Sequence, residues 1–132
     1  MVIMVMSVGA GGALGAVIRY LVGVMLADRY GASSWVGTMC VNITGCILMG
    51  CLAALLANAA PLPAHLRGFL IVGFLGALTT FSSYALDGYG FFVRNELLSA
   101  FFYLSASVIL SLGGFMLAYG GMRLMLGSSL WS

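Results

Sequence analysis

Lysine is absent from this chain, and charge of any kind is scarce. Eight charged side chains among 132 residues leave a formal net charge of +2. A surface so poor in charge cannot be kept in water, and it offers neither the basic face that nucleic-acid phosphates require nor a polybasic lipid-binding patch. The one histidine, His65, stands beside Pro63 in a loop with no nucleophile or metal partner at a recognisable spacing, which argues against an enzyme. Cysteine is limited to Cys40, Cys46 and Cys51, all within one apolar stretch. Burial in lipid makes a disulfide or zinc site a poor reading there, and small apolar filler a good one. Acidic residues are missing from the first apolar stretch altogether.

What remains is hydrophobic: 63% of residues are apolar and the mean hydropathy is +1.16. That composition belongs to an integral membrane protein. A crossing needs about 20 apolar residues, and four stretches qualify, namely Met4 to Leu26, Trp35 to Ala57, Gly68 to Val93 and Leu97 to Met122. The joints hold the helix breakers and most of the charge: Asp28, Arg29 and Gly31, then Asn58, Pro61, Pro63 and His65, then Arg94, Asn95 and Glu96. The expectation is an all-α membrane protein forming one domain over residues 1–132, with spans near 4–26, 35–57, 68–93 and 97–122 and no soluble module. The opening "MVIMVMSVGAGGALGA" lacks a basic leader and runs on apolar to Leu26, so it reads as the first span and not as a signal peptide.

Cytoplasmic loops normally carry the excess of Lys and Arg. Here Arg67 and Arg123 fall on one side and Arg29 and Arg94 on the other, so nothing chooses an orientation. A chain this short, inserting both ways, is expected to pair with an inverted copy of itself as a dual-topology antiparallel homodimer. Gly11 and Gly15 form a small-xxx-small pair, and Gly45 and Gly50 thin the second helix, which suits close packing.

Polar groups at membrane depth need a partner or a purpose, because an unsatisfied one in hydrocarbon costs several kcal/mol. Asn42 lies about 10 Å along the second helix from Trp35 at ~1.5 Å per residue, with Thr38 one turn earlier on the same face. Ser99, Tyr103, Ser107 and Ser111 recur every fourth residue, lining hydroxyls along one face of the fourth helix. Each could instead bond back to its own helix. Arg19 is a full charge well inside a span, suited to snorkelling or to holding backbone carbonyls or a partner helix. Asp87 could pair with Arg19 or Arg94, or with nothing.

The third span contains "GFLGALTTFSSYALDGYG", in which a glycine and two β-branched threonines favour unwinding. A break frees carbonyls at the end of a half-helix, and such groups at membrane depth coordinate cations such as sodium. Beyond it, Phe81, Ser82, Ser83 and Tyr84 bring donor hydroxyls and rings whose edges carry partial positive charge. Hydroxyls, an amide and ring edges, without a carboxylate, suit a small anion. Fluoride needs strong donors to replace its hydration shell.

These motifs resemble the Fluc (CrcB) family of fluoride channels over nearly the whole chain: "GGALGAVIRY" in the first span, "GTMCVNITG" in the second, "GFLGALTTFSSYALD" at the break and the Tyr103, Ser107, Ser111 ladder in the fourth. The resemblance implies a passive, fluoride-selective pathway that lowers cytoplasmic fluoride. It implies a four-helix dual-topology dimer in the cell membrane of a prokaryote, with an antiparallel copy or a close homologue as partner. Main-chain oxygens of Gly76 and Thr79 would hold a structural sodium ion at the dimer interface, Asn42 would donate to fluoride, and Phe81 with Tyr84 would form the aromatic box. Ser82, Ser83, Tyr103, Ser107 and Ser111 would line the polar track. Arg19 would structure the pore entrance, with Thr38 on the same side as Asn42. Tyr84 stands where the family usually has a second phenylalanine, Ala77 where a glycine is common and Ala85 where a serine is common. The rival is a small multidrug-type proton-coupled antiporter, which needs a carboxylate in its first span; Met4 to Leu26 has none.

Overall fold

The computed structural model describes residues 1–31, 33–58 and 62–127. Within them the chain runs as helices α1 (Val2–Tyr30), α2 (Ser34–Asn58), α3 (Ala64–Arg67), a π-helical stretch (Gly68–Leu75), α4 (Gly76–Leu78), α5 (Phe81–Val93) and α6 (Leu97–Gly127). Pro61, expected as a breaker in the second joint, lies outside the described residues. The segment from α3 through α5 makes one interrupted crossing, so four helical units are long and apolar enough to span a membrane. The longest, α6, has 31 residues, about 46 Å at ~1.5 Å per residue against a hydrocarbon core of about 30 Å.

Each helix overshoots the apolar stretch that marked it. The first continues past Leu26 through Asp28 and Arg29 to Tyr30, each added residue satisfying one more backbone pair inside the helix. It stops at Gly31, whose left-handed conformation (φ 60°, ψ 24°) turns its N–H back to the carbonyls of Ala27 and Leu26. The turn into α6 uses Asn95 at φ 57°, a conformation that Asn tolerates better than most residues.

Two small cores organise the bundle. Val41, Leu75 and Leu78 are buried among Ile18, Val22, Met49, Leu52 and Phe74. Phe91, Ala100 and Tyr103 are buried among Trp35, Met39, Tyr84 and Leu104. Most other large side chains, such as Val17, Leu110 and Leu117, point outward, as lipid-bathed helices require.

The glycines explain how the backbones approach. A Cβ at Gly11 would land on the main-chain oxygen of Phe69, and one at Gly15 on that of Phe74. A Cβ at Gly73 would come within 2.6 Å of the Val8 oxygen. The small-xxx-small pair of α1 therefore receives the chain's own third crossing. In α2, Gly45 makes room for the Thr79 methyl and Gly50 for the Phe115 main-chain oxygen of α6. In the π-helical stretch the hydrogen bonds skip one residue further than in an α-helix: the Gly76 N–H reaches the Ile71 carbonyl. Nothing in "GFLIVGFL" distinguishes that geometry from an ordinary helix.

Candidate functional site

The third crossing breaks at Thr79 (φ −83°, ψ 154°) and Thr80 (φ −150°, ψ 122°), both extended. Thr79 closes the last turn before the break: its N–H donates to the Leu75 carbonyl at 3.1 Å, and its Oγ1 donates to the same oxygen at 3.0 Å. The Thr80 N–H, which in an unbroken helix would reach the Gly76 carbonyl, donates to Asn42 Oδ1 at 2.7 Å. Asn42 Nδ2 in turn donates to the Thr80 carbonyl at 3.0 Å. These two bonds fix which way the amide points, since Oδ1 must face the donor and Nδ2 the acceptor. One Nδ2 proton of Asn42 is left over.

Two further devices hold the ends. Arg19 Nε donates to the Ala77 carbonyl at 3.0 Å, one helical turn along α1 from Gly15, so its charge meets the negative end of the first half-helix. Thr80 caps α5, its Oγ1 accepting the Ser83 N–H at 3.2 Å. The Thr80 hydroxyl also shares a 3.1 Å hydrogen bond with Ser82 and donates to Ser83 Oγ at 3.2 Å.

Beside the break lies a groove of about 540 Å³. Asn42, Thr79, Thr80, Phe81 and Tyr84 form one wall, and Ser107, Ser111 and Phe115 the other, with Cys46 at the base of α2's contribution. Ser107 is only 3% exposed, yet neither its hydroxyl nor that of Ser111 bonds to any described residue. The contrast with Ser7, which bonds back to Ile3 at 2.8 Å, and Thr38, which bonds back to Ser34 at 3.4 Å, separates the two readings of intramembrane hydroxyls. Thr38 is satisfied within its own helix; Ser107 and Ser111 face the groove with free donors.

A second groove of about 560 Å³ lies against α6, lined by Trp35, Phe91, Glu96, Ser99, Phe102 and Tyr103. A row of touching rings runs from the lining of one to the lining of the other. Phe81 and Tyr84 are 5.4 Å apart between centroids, Tyr84 and Tyr103 5.5 Å, and Tyr103 and Trp35 5.7 Å. The Tyr84 hydroxyl donates to the Leu104 main-chain oxygen at 3.0 Å.

The geometry thus brings Asn42, Thr79, Phe81, Tyr84, Ser107 and Ser111 onto one groove and puts Tyr103 and Ser99 on the next. Ser82 and Ser83 turn their hydroxyls to Thr80. Asp87 takes none of the partners considered for it. Its Oδ1 accepts from Ser34 Oγ at 2.8 Å and its Oδ2 from the Tyr103 hydroxyl at 3.4 Å, while Arg94 pairs with Glu96 at 2.9 Å and covers the Phe91 ring at 4.9 Å. The Ser34–Asp87–Tyr103 chain was not visible in the sequence, because its members come from three helices. The capping role of Thr80 was missed as well, although it had a signal: a threonine directly before a helical run is a favoured cap. Among the described residues no group of His, Cys, Asp and Glu could hold a metal ion, and the three cysteines are free thiols.

Comparison with known proteins adds to this geometry. The sequence model of the family described as "CrcB-like protein, Camphor Resistance (CrcB)" matches residues 6–122. The chain is 45% identical to "Fluoride-specific ion channel FluC 1" of Nitrobacter hamburgensis over 83% of its own length and 86% of that protein. It is 47% identical to "Fluoride-specific ion channel FluC" of Rhodospirillum centenum over 84% of its length and 88% of that protein. With the protein of the same name from Stutzerimonas stutzeri, identity is 37% over 94% of the chain and 98% of the relative.

Proposed function

The chain belongs to the CrcB-like family, and from that membership and the chemistry of the groove we propose that it is a channel conducting fluoride passively and selectively across the cell membrane of a prokaryote, lowering cytoplasmic fluoride. The observation that carries the reading is the donor set beside the break. Among the described residues the Ser107 and Ser111 hydroxyls have no acceptor and Asn42 has one N–H to spare, and the Phe81 and Tyr84 rings complete a lining without carboxylate or guanidinium. Fluoride, small and strongly hydrated, exchanges its water for such donors. The absence of a fixed positive charge on the walls lets it leave again. A proton-coupled antiporter would need a carboxylate in its first span, and Met4 to Leu26 holds none.

A structural sodium ion belongs to this proposal. Main-chain oxygens of Gly76 and Thr79 are hard donors suited to it, and the Gly76 carbonyl has lost its regular helical donor because the Thr80 N–H goes to Asn42. Bound there, the ion would neutralise the carbonyl end of the first half-helix. The site would be completed by an antiparallel copy of the chain. Phe81 is 79% exposed and the groove beside it is open along one flank, so a second subunit would supply the missing wall. Arg19, by holding the Ala77 carbonyl, would keep the half-helix end in place for both.

The test is ion efflux from proteoliposomes containing the purified chain, with fluoride and chloride compared. The expected outcome is rapid fluoride efflux with chloride retained, from a dimer in which single-site crosslinks join opposite membrane faces of the two copies. Equal chloride efflux, or none of either ion from well-folded protein, overturns the reading; activity that appears only on adding a homologous chain replaces the homodimer by a heterodimer.

A further inference from the structure

We propose that Tyr84 is a positioning residue for anion selection: its hydroxyl latches the ring to α6 and does not bind the ion, and the latched ring sets which anions are turned away. The inference rests on the reading of the groove as a fluoride path.

A phenol has one proton to donate, and that of Tyr84 goes to the Leu104 main-chain oxygen at 3.0 Å. To touch an anion with its O–H the side chain would have to release that acceptor. What it presents to the groove is therefore the ring. The acceptor's place is informative, because Leu104 sits between Tyr103 and Ser107 on α6, the helix that carries the free hydroxyls. The latch thus fixes the distance between the ring on α5 and the donors on α6. No other side-chain hydrogen bond between the described residues of α5 and α6 exists apart from the longer Tyr103–Asp87 contact at 3.4 Å.

Tyr84 also stands at the partition. Its ring walls the groove beside the break, Tyr103 walls the groove beyond, and the two rings meet at 5.5 Å with planes inclined by 39°. On its other side Phe81 lies at 5.4 Å, inclined by 35°. Aromatic edges carry partial positive charge, and a ring held at both its body and its hydroxyl cannot swing aside for a larger ion. A phenylalanine in this position would fill nearly the same space held by ring contacts alone, free to move about its side-chain bonds.

The experiment is Tyr84→Phe, measured as the fluoride-to-chloride flux ratio in proteoliposomes. The ratio is expected to fall at least tenfold, through a rise in chloride flux; tenfold corresponds to about 1.4 kcal/mol, the scale of one neutral hydrogen bond. Replacing Tyr84 with 4-aminophenylalanine, which keeps a donor at the ring's end, restores the ratio. A drop in fluoride flux with chloride still excluded would make the hydroxyl an ion ligand and overturn the proposal, as would an unmoved ratio or a failure of the amino variant to restore it. Ring-flip rates by NMR test the latch without conduction. The Tyr84 ring is expected to flip at least tenfold more slowly than the ring of the Tyr84→Phe variant, and equal rates sink the latch even if the chain conducts. A wild-type chain that conducts no fluoride while the rates differ removes the functional reading and leaves the latch standing.

Discussion

The two halves of the broken crossing are built on opposite principles. Before the break, the π-helical stretch and α4 lie against α1 with almost nothing between backbones: Gly11, Gly15 and Gly73 each leave room for a neighbouring main-chain oxygen and no more. After it, α5 meets α6 through rings, with Tyr84, Phe91 and Tyr103 filling the space, and hydroxyls on α6 left free. The first half is a contact surface whose shape is the backbone's own, so it tolerates no added atoms. The second holds its helices apart on packed rings, which is how a lipid-embedded bundle retains a groove at all. Lipid supplies no hydrophobic force between helices, so close packing in one place is what permits a cavity in another.

The largest effect that could break this comparison is at Gly15. Gly15→Leu drives a side chain into the Phe74 carbonyl and should cost on the order of 3 kcal/mol or more, seen as loss of monodisperse protein on size exclusion. Gly113→Leu, at a glycine with nothing within 4 Å, should elute as wild type. If both behave alike, the tight half is not tight. Next comes Asn42→Asp, which replaces the donor to Thr80's carbonyl with a second acceptor and puts negative charge on the groove wall. Fluoride flux should fall by roughly a hundredfold, about 2.7 kcal/mol, from the two Nδ2 hydrogen bonds of about 1 kcal/mol each that are lost and from the added charge. Undiminished flux would remove Asn42 from the path. The smallest is Ser107→Ala. Since that hydroxyl bonds to no described residue, thermal stability should not change, while fluoride flux falls roughly fivefold, about 1 kcal/mol. A stability loss without a flux loss would assign Ser107 to packing and blur the distinction between the halves.

The architecture was legible because membrane helices announce themselves by length and apolarity, and the break because glycine and paired threonines inside such a run have few other uses. The groove members Asn42, Ser107 and Ser111 were legible for the same reason: polar groups in lipid are conspicuous. Three things were hidden. The π-helical register of Gly68–Leu75 lies where the chain packs against α1, and composition carries no mark of it. The partners of Arg19 and Tyr84 are main-chain oxygens of Ala77 and Leu104, and a carbonyl looks the same at every residue of a sequence. Asp87 looked like a candidate for an arginine, but its own position on α5 brings it to Ser34 and Tyr103 instead.

Asn42 grips Thr80 by both its N–H and its carbonyl, the way one strand of a sheet grips the next. That grip has a consequence for how the protein can vary. A substitution at 42 that takes away Nδ2 loosens the pin of the break and removes the spare donor in the same event. A survey of all replacements there should return two populations, intact and dead, whereas Ser107 and Ser111, each holding nothing else in place, should return a graded series. Selection can therefore tune this protein along α6, while at position 42 it can only keep or lose it.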